Sequence, residues 1–327
     1  MSTEPVVVVL HDANRPSEEA LAPVAERAAE IRYTEAGGLV EALEGADVVF
    51  AYDFLSTALA DAWHAAGSVQ WVHIAATGVD PLMTPEVRAS DIVLTNSRGV
   101  FDGAIAEYVL GQVLSFAKDF PGSFRLQQER TWRHRESERV AGTHALVVGT
   151  GLIGRAIARL LRAAGLEVSG AGRRERSGDP DFGDVVGTDG LHDALGRADW
   201  VVAIAPLTEG TKGMFDARAF AAMQPHVRFI NVGRGELVVT DDLVDALRSE
   251  RIAGAALDVF DVEPLPQEHP LWELPQVMVT PHNSGDFVGW RDALTTLFAD
   301  NFARWVQGQP LDNVVDKSLG YVPTTGS

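Results

Sequence analysis

The stretch "ALVVGTGLIGRAIARLLRAAG", residues 145–165, decides the fold of this 327-residue chain. An apolar run of strand type leads into Gly149, Gly151 and Gly154 at G-x-G-x-x-G spacing, and a helix with one apolar face follows. Such glycines permit a tight turn, a close approach of the backbone to a pyrophosphate and close packing of helix on strand. Unpaired N–H groups at the helix N-terminus attract negative charge. A structural turn would explain the glycines alone, but strand, turn and helix in register predict a dinucleotide site.

Short apolar runs alternate with alanine-rich helical segments on both sides of this stretch. The runs include "VVVVLHD", "DVVFAYD", "WVHIAA", "DIVLTN", "WVVAIAP", "VRFINVG", "AGAALDV" and "QVMVTPH". This alternation is typical of α/β folds, in which parallel sheets carry helices on both faces. The pattern also predicts a long helix at 102–120, a polar arm at 125–142 and a last helix at about 286–307. A chain of this length has room for two such domains.

The composition restricts the class of protein. The chain has 46 Asp and Glu residues against 27 Lys and Arg, a net charge of −19, and so lacks the general basic surface that nucleic acids require. No apolar run approaches the ~20 residues of a membrane span, and "PVVVVL" follows no basic segment, which predicts a strand and not a signal peptide. The lack of cysteine excludes disulfides, thiolate metal sites and a cysteine nucleophile. We expect a cytoplasmic protein with no nucleic-acid or membrane partner and no metal.

The strand "LEVSGAG", residues 166–172, follows the helix of the glycine motif. Many dinucleotide-binding chains carry an acid at the end of this strand, where it accepts hydrogen bonds from the ribose hydroxyls. Here Gly172 takes that place, and Arg173 and Arg174 follow. A carboxylate would repel a 2′-phosphate, whereas guanidinium groups bind one bidentately. The sequence therefore predicts a preference for NADP(H), with NAD(H) possible; the alternative is a solvated arginine pair in the loop "RRERSGD".

Three later stretches each follow a predicted strand, at the sheet edge where open α/β folds place their ligands. They are "FINVGRGELV" with Arg234, "AALDVFDVEPLP" with Asp258 and Glu263, and "VTPHNSG" with His282. Each has an ordinary explanation when taken singly: a turn arginine, a loop acid before proline, and a hydrogen-bonded histidine. Together, in this order and beyond a nucleotide motif, they indicate a catalytic constellation. The lone histidines His64, His134 and His226 are interpreted as structural.

At these residues the chain resembles the D-isomer-specific 2-hydroxyacid dehydrogenase family. The resemblance also includes "ATGVD" at 76–80, "TNSRGVFDGAIAEYVLG" at 95–111 and "APLTEGT" at 205–211. It implies a discontinuous, flavodoxin-like substrate-binding domain at 1–99 plus 288–327 and a Rossmann dinucleotide-binding domain at 100–287, with a cleft between them. It further implies a homodimer built through the cofactor domain, with the helix and arm at 101–143 as contact surface.

The resemblance also assigns roles to single residues. Arg234 would bind the carboxylate and carbonyl oxygen of a 2-oxo acid and stabilise the alkoxide that develops. His282 would exchange a proton with that oxygen, and Glu263 would orient the imidazole. The backbone N–H groups of Thr77 and Gly78 would receive the substrate carboxylate. Independently of the resemblance, Tyr52, Phe54 and Leu55, with Trp290 of the last helix, are candidates to line the substrate pocket, although an aromatic residue at such a place is more often part of the core.

The implied cofactor contacts are more numerous. Asp258 would accept a hydrogen bond from the nicotinamide carboxamide, and the hydride chemistry belongs to the nicotinamide itself. The full expected set is Gly149, Gly151, Leu152, Ile153, Gly154, Arg173, Arg174, Ala205, Pro206, Thr211, Val232, Gly233, Arg234, Asp258, His282 and Gly285.

Departures from the family pattern refine these expectations. Gly172 replaces the acid of the NAD-dependent members, and Ala205 stands where many members have histidine. Glu263 argues against a formate dehydrogenase, because those relatives have glutamine there. The predicted activity is an NADPH-dependent, reversible reduction of a small 2-oxo acid of the glyoxylate, hydroxypyruvate or pyruvate type. Two alternatives stay open: a dehydrogenase of another small oxyanion such as phosphite, and a non-catalytic, dinucleotide-sensing protein of the corepressor type.

Overall fold

The computed structural model describes residues 4–54 and 56–323. The chain divides into two compact units. We call Met1–Val100 with Phe287–Ser327 the discontinuous unit, and Phe101–Asp286 the central unit. Both are α/β, as the alternating sequence pattern predicts.

Strands and helices are numbered along the chain. The strands are β1 (Val6–Leu10), β2 (Glu30–Thr34), β3 (Val48–Ala51), β4 (Trp71–Ile74), β5 (Val93–Asn96), β6 (His144–Val148), β7 (Glu167–Ala171), β8 (Arg176–Asp179), β9 (Gly183–Val186), β10 (Trp200–Ala203), β11 (Arg228–Asn231), β12 (Gly254–Leu257) and β13 (Val277–Val279). The helices are α1 (Glu18–Ala25), α2 (Leu39–Ala42), α3 (Ala58–Asp61), α4 (Pro85–Ala89), α5 (Asp102–Ala117), α6 (Phe120–Gln128), α7 (Leu152–Ala163), α8 (Leu191–Leu195), α9 (Ala217–Ala222), α10 (Thr240–Arg248) and α11 (Trp290–Val306).

The discontinuous unit is built on a five-stranded parallel sheet in the order β2-β1-β3-β4-β5. Its central strands are buried along their whole length, because helices cover both faces of a parallel sheet. On one face, stacked aromatic rings of the C-terminal α11 pack against the sheet: Phe298 lies 4.2 Å from Phe50 and 5.4 Å from Trp71, centroid to centroid. Helix α1 packs on α11. The loop after β4, which carries Thr77 and Gly78, therefore leaves the carboxyl edge of a rigid sheet.

The central unit contains an eight-stranded sheet in the order β13-β12-β11-β10-β6-β7-β9-β8. All its neighbours pair in parallel except the edge pair β8 and β9. The strands β11, β12 and β13 are adjacent, so the three predicted catalytic stretches begin side by side at one edge. The glycine motif begins at the same edge, after β6.

The structure differs from the predicted elements at two places. The long helix ends at Ala117, and Asp119 adopts a left-handed φ of 48° and caps the separate helix α6 by accepting from the Gly122 N–H at 3.0 Å. The predicted polar arm therefore begins inside a helix. The loop "RRERSGD" also continues into the strand pair β8–β9, which the sequence did not predict.

Candidate active site

The glycine motif forms the turn between β6 and α7. Gly149 has φ +122°, and a Cβ there would lie 2.5 Å from the carbonyl carbon of Ile204. A Cβ on Gly154 would lie 1.9 Å from the Gly149 oxygen, so helix and strand pack too closely for any side chain. A Cβ on Gly151, by contrast, meets no atom within 4 Å. The open side of Gly151 at the N-terminus of α7 fits the approach of a pyrophosphate, and Leu152 and Ile153 begin the helix there.

The end of β7 carries no acid. Gly172 lies beside the Thr150 side chain, whose hydroxyl would be 2.9 Å from a Cβ at position 172. Arg173 and Arg174 are exposed. The short segment 172–175 is held at both ends, because the Gly172 N–H donates to Val186 O at 3.0 Å and Arg176 pairs with Val185 in the sheet. The two arginines therefore project from a restrained loop.

The third arginine of "RRERSGD" has a different partner. Arg176 Nε donates to Asp179 Oδ2 at 2.8 Å, and Asp179 also accepts from Arg155 in the first turn of α7. Asp181 accepts from Arg155 as well, at 2.7 Å. Burial raises the pKa of Asp179, but the hydrogen bonds from Arg155 and Arg176 and from two backbone N–H groups hold it well below its usual range. This network fixes β8 against the helix of the glycine motif.

Three of the predicted cofactor contacts, Ala205, Pro206 and Thr211, follow β10. Ala205 is buried, and its backbone lies against Gly149. Thr211 Oγ1 donates to Pro206 O at 2.7 Å and accepts from the Thr208 N–H at 2.8 Å, which closes the 206–211 loop.

The residues after β11 hold Arg234. Val232 and Gly233 are buried, and the Asn231 amide receives the Gly233 N–H at 3.1 Å and donates to Arg234 O at 2.9 Å. The Arg234 guanidinium is half-buried and donates to Gly233 O at 2.9 Å. A Cβ on the next residue, Gly235, would lie 1.8 Å from the carbonyl carbon of Phe260. The loops after β11 and β12 are therefore in direct contact.

His282 and Glu263 form a pair. His282 Nδ1 lies 2.8 Å from Glu263 Oε2, and both side chains remain about one-third exposed, at 36% and 33%. Because a carboxylate only accepts hydrogen bonds, Nδ1–H donates, and Nε2 is left for another group. The second carboxylate oxygen of Glu263 accepts from the Phe260 N–H at 2.9 Å.

The surroundings of this pair determine the pKa of Glu263. Burial by itself raises the pKa of Glu263. The hydrogen bonds from His282 and from the Phe260 N–H, with the positive charges of His282 and Arg234, outweigh burial and bring the pKa below its usual range. Glu263 is therefore a stable anion, and it lies within the electrostatic reach of the Arg234 guanidinium and the His282 imidazole. In the central unit the structure thus brings together the three residues that were predicted to be catalytic.

Asp258 has a larger structural role than its sequence suggested. It is fully buried, with 0% exposure. Oδ1 accepts from the Thr280 hydroxyl at 2.6 Å and from the Asn283 N–H at 3.0 Å, and Oδ2 accepts from the Ser284 N–H at 2.9 Å. Its own carbonyl oxygen receives the His282 N–H at 2.8 Å. Segment 280–284 therefore surrounds the Asp258 carboxylate. The contact of Asp258 with the nicotinamide carboxamide stays a prediction. Tyr108 joins this network through Thr280, a contact that was not predicted from the sequence.

Gly285 follows this segment and packs closely on the side chain of Phe101. A Cβ there would lie 2.9 Å from Cδ1 of Phe101, the residue that precedes helix α5. A side chain at this position would displace the end of the His282 loop.

The predicted substrate residues of the discontinuous unit have different surroundings. Thr77 O accepts from the Asn96 amide at 2.6 Å, and the buried Thr77 hydroxyl has no hydrogen-bond partner among residues 4–54 and 56–323. Gly78 and Phe54 line a cavity of about 20 Å³ at the carboxyl ends of β1, β3 and β4. The ring of Phe54 meets Trp290 edge-on at 5.9 Å.

Tyr52 does not line this cavity. Tyr52 is only 3% exposed and packs against Phe50, with the Arg291 side chain hydrogen-bonded to it. In this structure Tyr52 is a core residue, and its contact with a substrate stays a prediction. Leu55 lies outside the described residues. Asp53 also lines the cavity, and burial together with the nearby Asp12 raises the pKa of its carboxyl group.

The arm after α6 is tied to the central unit at two points. Arg228 donates to both carboxylate oxygens of Glu138, at 2.7 and 2.6 Å, and Arg135 donates to Asp119 Oδ2 at 2.7 Å. Before these points in the chain, Trp132 is fully exposed, and Phe124 on α6 is also exposed. None of the described helices is long and apolar enough to cross a membrane.

Comparison with known proteins identifies the family. Residues 110–284, more than half of the chain, match the model of the D-isomer specific 2-hydroxyacid dehydrogenase NAD-binding domain. A glyoxylate/hydroxypyruvate reductase A from Serratia proteamaculans is 33% identical over 215 residues, which are 66% of this chain and 68% of the relative.

Solved structures agree over nearly the full length. An NADPH-dependent glyoxylate/hydroxypyruvate reductase from Sinorhizobium meliloti, in complex with NADP and sulfate, is similar at a TM-score of 0.82 and 29% identity, covering 98% of this chain and 100% of its own. A D-isomer specific 2-hydroxyacid dehydrogenase from Xanthobacter autotrophicus, in complex with NADPH and MES, is similar at 0.82 and 28%, covering 97% and 100%. This chain belongs to the D-isomer specific 2-hydroxyacid dehydrogenase family of oxidoreductases.

Proposed function

We propose that the chain catalyses the reversible, NADPH-dependent reduction of a small 2-oxo acid, of the glyoxylate, hydroxypyruvate or pyruvate type, to the D-2-hydroxy acid. The observation that carries this proposal is the His282–Glu263 pair, in which Nδ1 is bound by an anion and Nε2 is left for another group. A protonated imidazole held in this way is suited to give a proton to a carbonyl oxygen. Because the chain belongs to a dehydrogenase family, we assign this proton transfer to an oxidation–reduction reaction.

Each residue has a defined part in this scheme. When bound, a dihydronicotinamide would supply the hydride that the carbonyl carbon of the substrate receives. His282 donates its Nε2 proton to the oxygen of the reduced carbonyl and takes it back in the reverse direction, while Glu263 orients the ring. Arg234 binds the substrate carboxylate with its planar guanidinium and stabilises negative charge on the carbonyl oxygen. Residues 100–287 would bind the dinucleotide, and residues 1–99 with 288–327 would bind the substrate through the N–H groups of Thr77 and Gly78.

The preference for NADPH over NADH is supported by the end of β7. The glycine at position 172 leaves no carboxylate to repel a 2′-phosphate, and Arg173 and Arg174 project from the adjoining restrained loop. The relatives from Sinorhizobium meliloti and Xanthobacter autotrophicus were solved with NADP and NADPH. The open side of Gly151 and the N-terminus of α7 would accommodate the pyrophosphate.

Turnover can be tested by NADPH oxidation with glyoxylate, hydroxypyruvate, pyruvate and phenylpyruvate, each repeated with NADH. We expect consumption of NADPH with at least one small 2-oxo acid and a D product. His282→Gln should abolish turnover while NADPH binding, measured by fluorescence titration, stays within about twofold. His226→Gln is the matched control, because His226 is also an exposed imidazole that contacts a carboxylate, Asp199, at 2.7 Å.

Two results would contradict the proposal. NADPH binding without consumption of any 2-oxo acid would favour a dinucleotide sensor. NADP reduction by phosphite, without any 2-oxo acid activity, would favour an oxyanion dehydrogenase.

We also propose a cytoplasmic homodimer formed through residues 101–143. The exposed Phe124 and Trp132, on a segment held by Glu138 and Arg135, support this surface. Sedimentation should give a dimer for the parent protein and a monomer for Phe124→Ser with Trp132→Ser. A parent monomer would refute this assembly.

A further inference from the structure

Tyr108 and Thr280 connect helix α5 to the loop that carries His282. The Tyr108 hydroxyl lies 2.6 Å from Thr280 Oγ1, and Thr280 Oγ1 lies 2.6 Å from Asp258 Oδ1. We propose that Tyr108 and Thr280 are positioning residues that set the geometry of His282 through the Asp258 carboxylate. This inference rests on the proposed function only for the role of His282; the hydrogen-bond chain itself is independent of it.

The direction of the chain follows from the chemistry of its members. A carboxylate cannot donate, so the single hydroxyl hydrogen of Thr280 points to Asp258. The Thr280 oxygen must then accept, and Tyr108 must be the donor. Burial raises the pKa of Tyr108 to about 12, so the phenol keeps this hydrogen throughout the neutral range. Hydrogen bonds arranged head to tail in this way strengthen one another.

The carboxylate at the end of the chain depends on these donors. Asp258 is completely buried, where an incompletely hydrogen-bonded charge is costly. Its oxygens take three donors, one hydroxyl and two backbone N–H groups, and all three come from segment 280–284. If Tyr108 no longer fixes the Thr280 hydroxyl, that hydroxyl can rotate away from Asp258. The hydrogen bonds between segment 280–284 and the Asp258 carboxylate then hold the segment less firmly.

His282 is the residue most sensitive to such a change. Its φ of 52° lies in the left-handed region, which residues with a side chain adopt only when the surrounding structure holds them there. Its N–H donates to the Asp258 carbonyl, and the two following N–H groups donate to the Asp258 carboxylate. The orientation of the imidazole towards Glu263 is thus set by backbone that Asp258 restrains.

The test compares Tyr108→Phe and Thr280→Val with Thr280→Ser, which keeps the hydroxyl. Thr143→Val is the matched control, because the Thr143 hydroxyl also links a donor, Trp200 Nε1 at 3.0 Å, to an acceptor, Val140 O at 2.7 Å. Thr143 directly precedes β6, so it lies at the amino ends of the strands, whereas the site loops follow their carboxyl ends. Amide hydrogen exchange of residues 282–284 is measured without substrate, and kcat and KM are measured with NADPH and the best 2-oxo acid.

We expect Tyr108→Phe and Thr280→Val to speed exchange of the 282–284 amides about tenfold, the effect of losing one hydrogen bond. They should lower kcat about tenfold with KM for the 2-oxo acid within about twofold, because only the transition state needs the aligned proton donor. Thr280→Ser should retain most of the protection and turnover, and Thr143→Val should change neither.

Unchanged exchange in Tyr108→Phe and Thr280→Val would overturn the inference whether or not the protein reduces 2-oxo acids. Equal losses in Thr280→Ser and Thr280→Val would also overturn it, since packing and not the hydroxyl would then be responsible. Faster exchange with no 2-oxo acid turnover in the parent protein would leave the chain of contacts standing and refute the proposed function alone.

Discussion

Arg155 donates from both terminal guanidinium nitrogens to the two carboxylate oxygens of Asp179, at 3.0 and 2.9 Å. Arg155 lies in the first turn of the helix that follows the glycine motif, and Asp179 ends the strand that follows the two exposed arginines. This ion pair is therefore the physical link between the proposed pyrophosphate and 2′-phosphate sites. It is bidentate and mostly buried on the Asp179 side, which distinguishes it from an ordinary surface pair.

Asp179→Asn should destabilise the protein and impair NADPH use more than NADH use. Removing the charge of Asp179 leaves Arg155 with Asp181 alone and Arg176 without its carboxylate, which costs about 2 kcal/mol of unfolding free energy, after allowance for the partial exposure of Arg155. Displacement of segment 172–175 should raise KM for NADPH about tenfold and KM for NADH about twofold at most. Denaturant unfolding and cofactor kinetics measure the two effects, with Glu30→Gln, from the more exposed Arg32–Glu30 pair, as control. Equal changes for both cofactors would show that the pair only stabilises the fold.

Arg173→Ala combined with Arg174→Ala tests the phosphate contact itself. Losing two charge-assisted hydrogen bonds should cost about 2–4 kcal/mol of discrimination between NADPH and NADH. The ratio of kcat/KM for the two cofactors measures this quantity directly. Arg218→Ala, which removes an exposed arginine of α9, should leave the ratio unchanged. If the double variant lowers kcat/KM equally for both cofactors, the arginines do not bind the 2′-phosphate.

The strands and the order of the site loops were predictable because they depend on local pattern. Runs such as Trp200–Ala203 are apolar at every position, as expected for a parallel strand covered on both faces. The residues that follow three adjacent strands then meet at one edge, which is why Arg234, Glu263 and His282 could be expected together.

The strand pair β8–β9 and the Asp258 network were not predictable in this way. The segment "RSGDPDFGDVV" is rich in glycine and aspartate, which is typical of a loop, and it becomes a strand pair against Arg155, a residue about 20 positions earlier. Tyr108 and Thr280 are 172 positions apart, and only the folded chain brings their hydroxyls together. Contacts between residues so far apart in the chain produce no periodic pattern from which they could be predicted.

Glu263→Gln should slow reduction. The carboxylate of Glu263, whose pKa lies below its usual range, is a stable anion at His282 Nδ1. Glutamine keeps a hydrogen-bonding oxygen but removes the charge, so the charge-assisted hydrogen bond that orients the imidazole becomes a weaker neutral one. We expect kcat to fall about tenfold with KM for the 2-oxo acid within about twofold. Steady-state kinetics measure this, with Asp261→Asn, a neighbouring carboxylate of the same loop, as control. An unchanged kcat would remove Glu263 from the proton chemistry.

His73 should make stability depend on pH. It is fully buried between Thr95 Oγ1 at 2.8 Å and Ser97 Oγ at 3.2 Å, and burial lowers its pKa to about 3. The unfolded chain has the ordinary value of about 6.5 and binds a proton first as the pH falls. This contribution to stability is therefore complete above pH 6.5 and declines by about 1.4 kcal/mol per pH unit towards pH 3.

Urea unfolding at several pH values measures this slope. His73→Asn keeps a hydrogen-bonding side chain and should remove the part of the slope that belongs to this group. His64→Gln, at an exposed site in the same unit, should leave the slope unchanged. A parent and a His73→Asn protein with identical slopes would show that His73 takes up its proton over the same pH range in the folded and the unfolded chain.

Gly235→Ala should disrupt the loop junction that holds Arg234. The added Cβ would lie 1.8 Å from the Phe260 carbonyl carbon and 2.2 Å from the Asp261 nitrogen, and both are backbone atoms that cannot rotate away. We expect a loss of about 3 kcal/mol of unfolding free energy. In the fraction that folds, kcat/KM should fall at least tenfold, because Arg234 and Glu263 sit on the two loops that are forced apart. Gly67→Ala, where a Cβ meets nothing within 4 Å, is the control and should stay within about 0.5 kcal/mol of the parent. Full activity with parental stability in Gly235→Ala would mean that the close contact between these loops is not required for Arg234 to act.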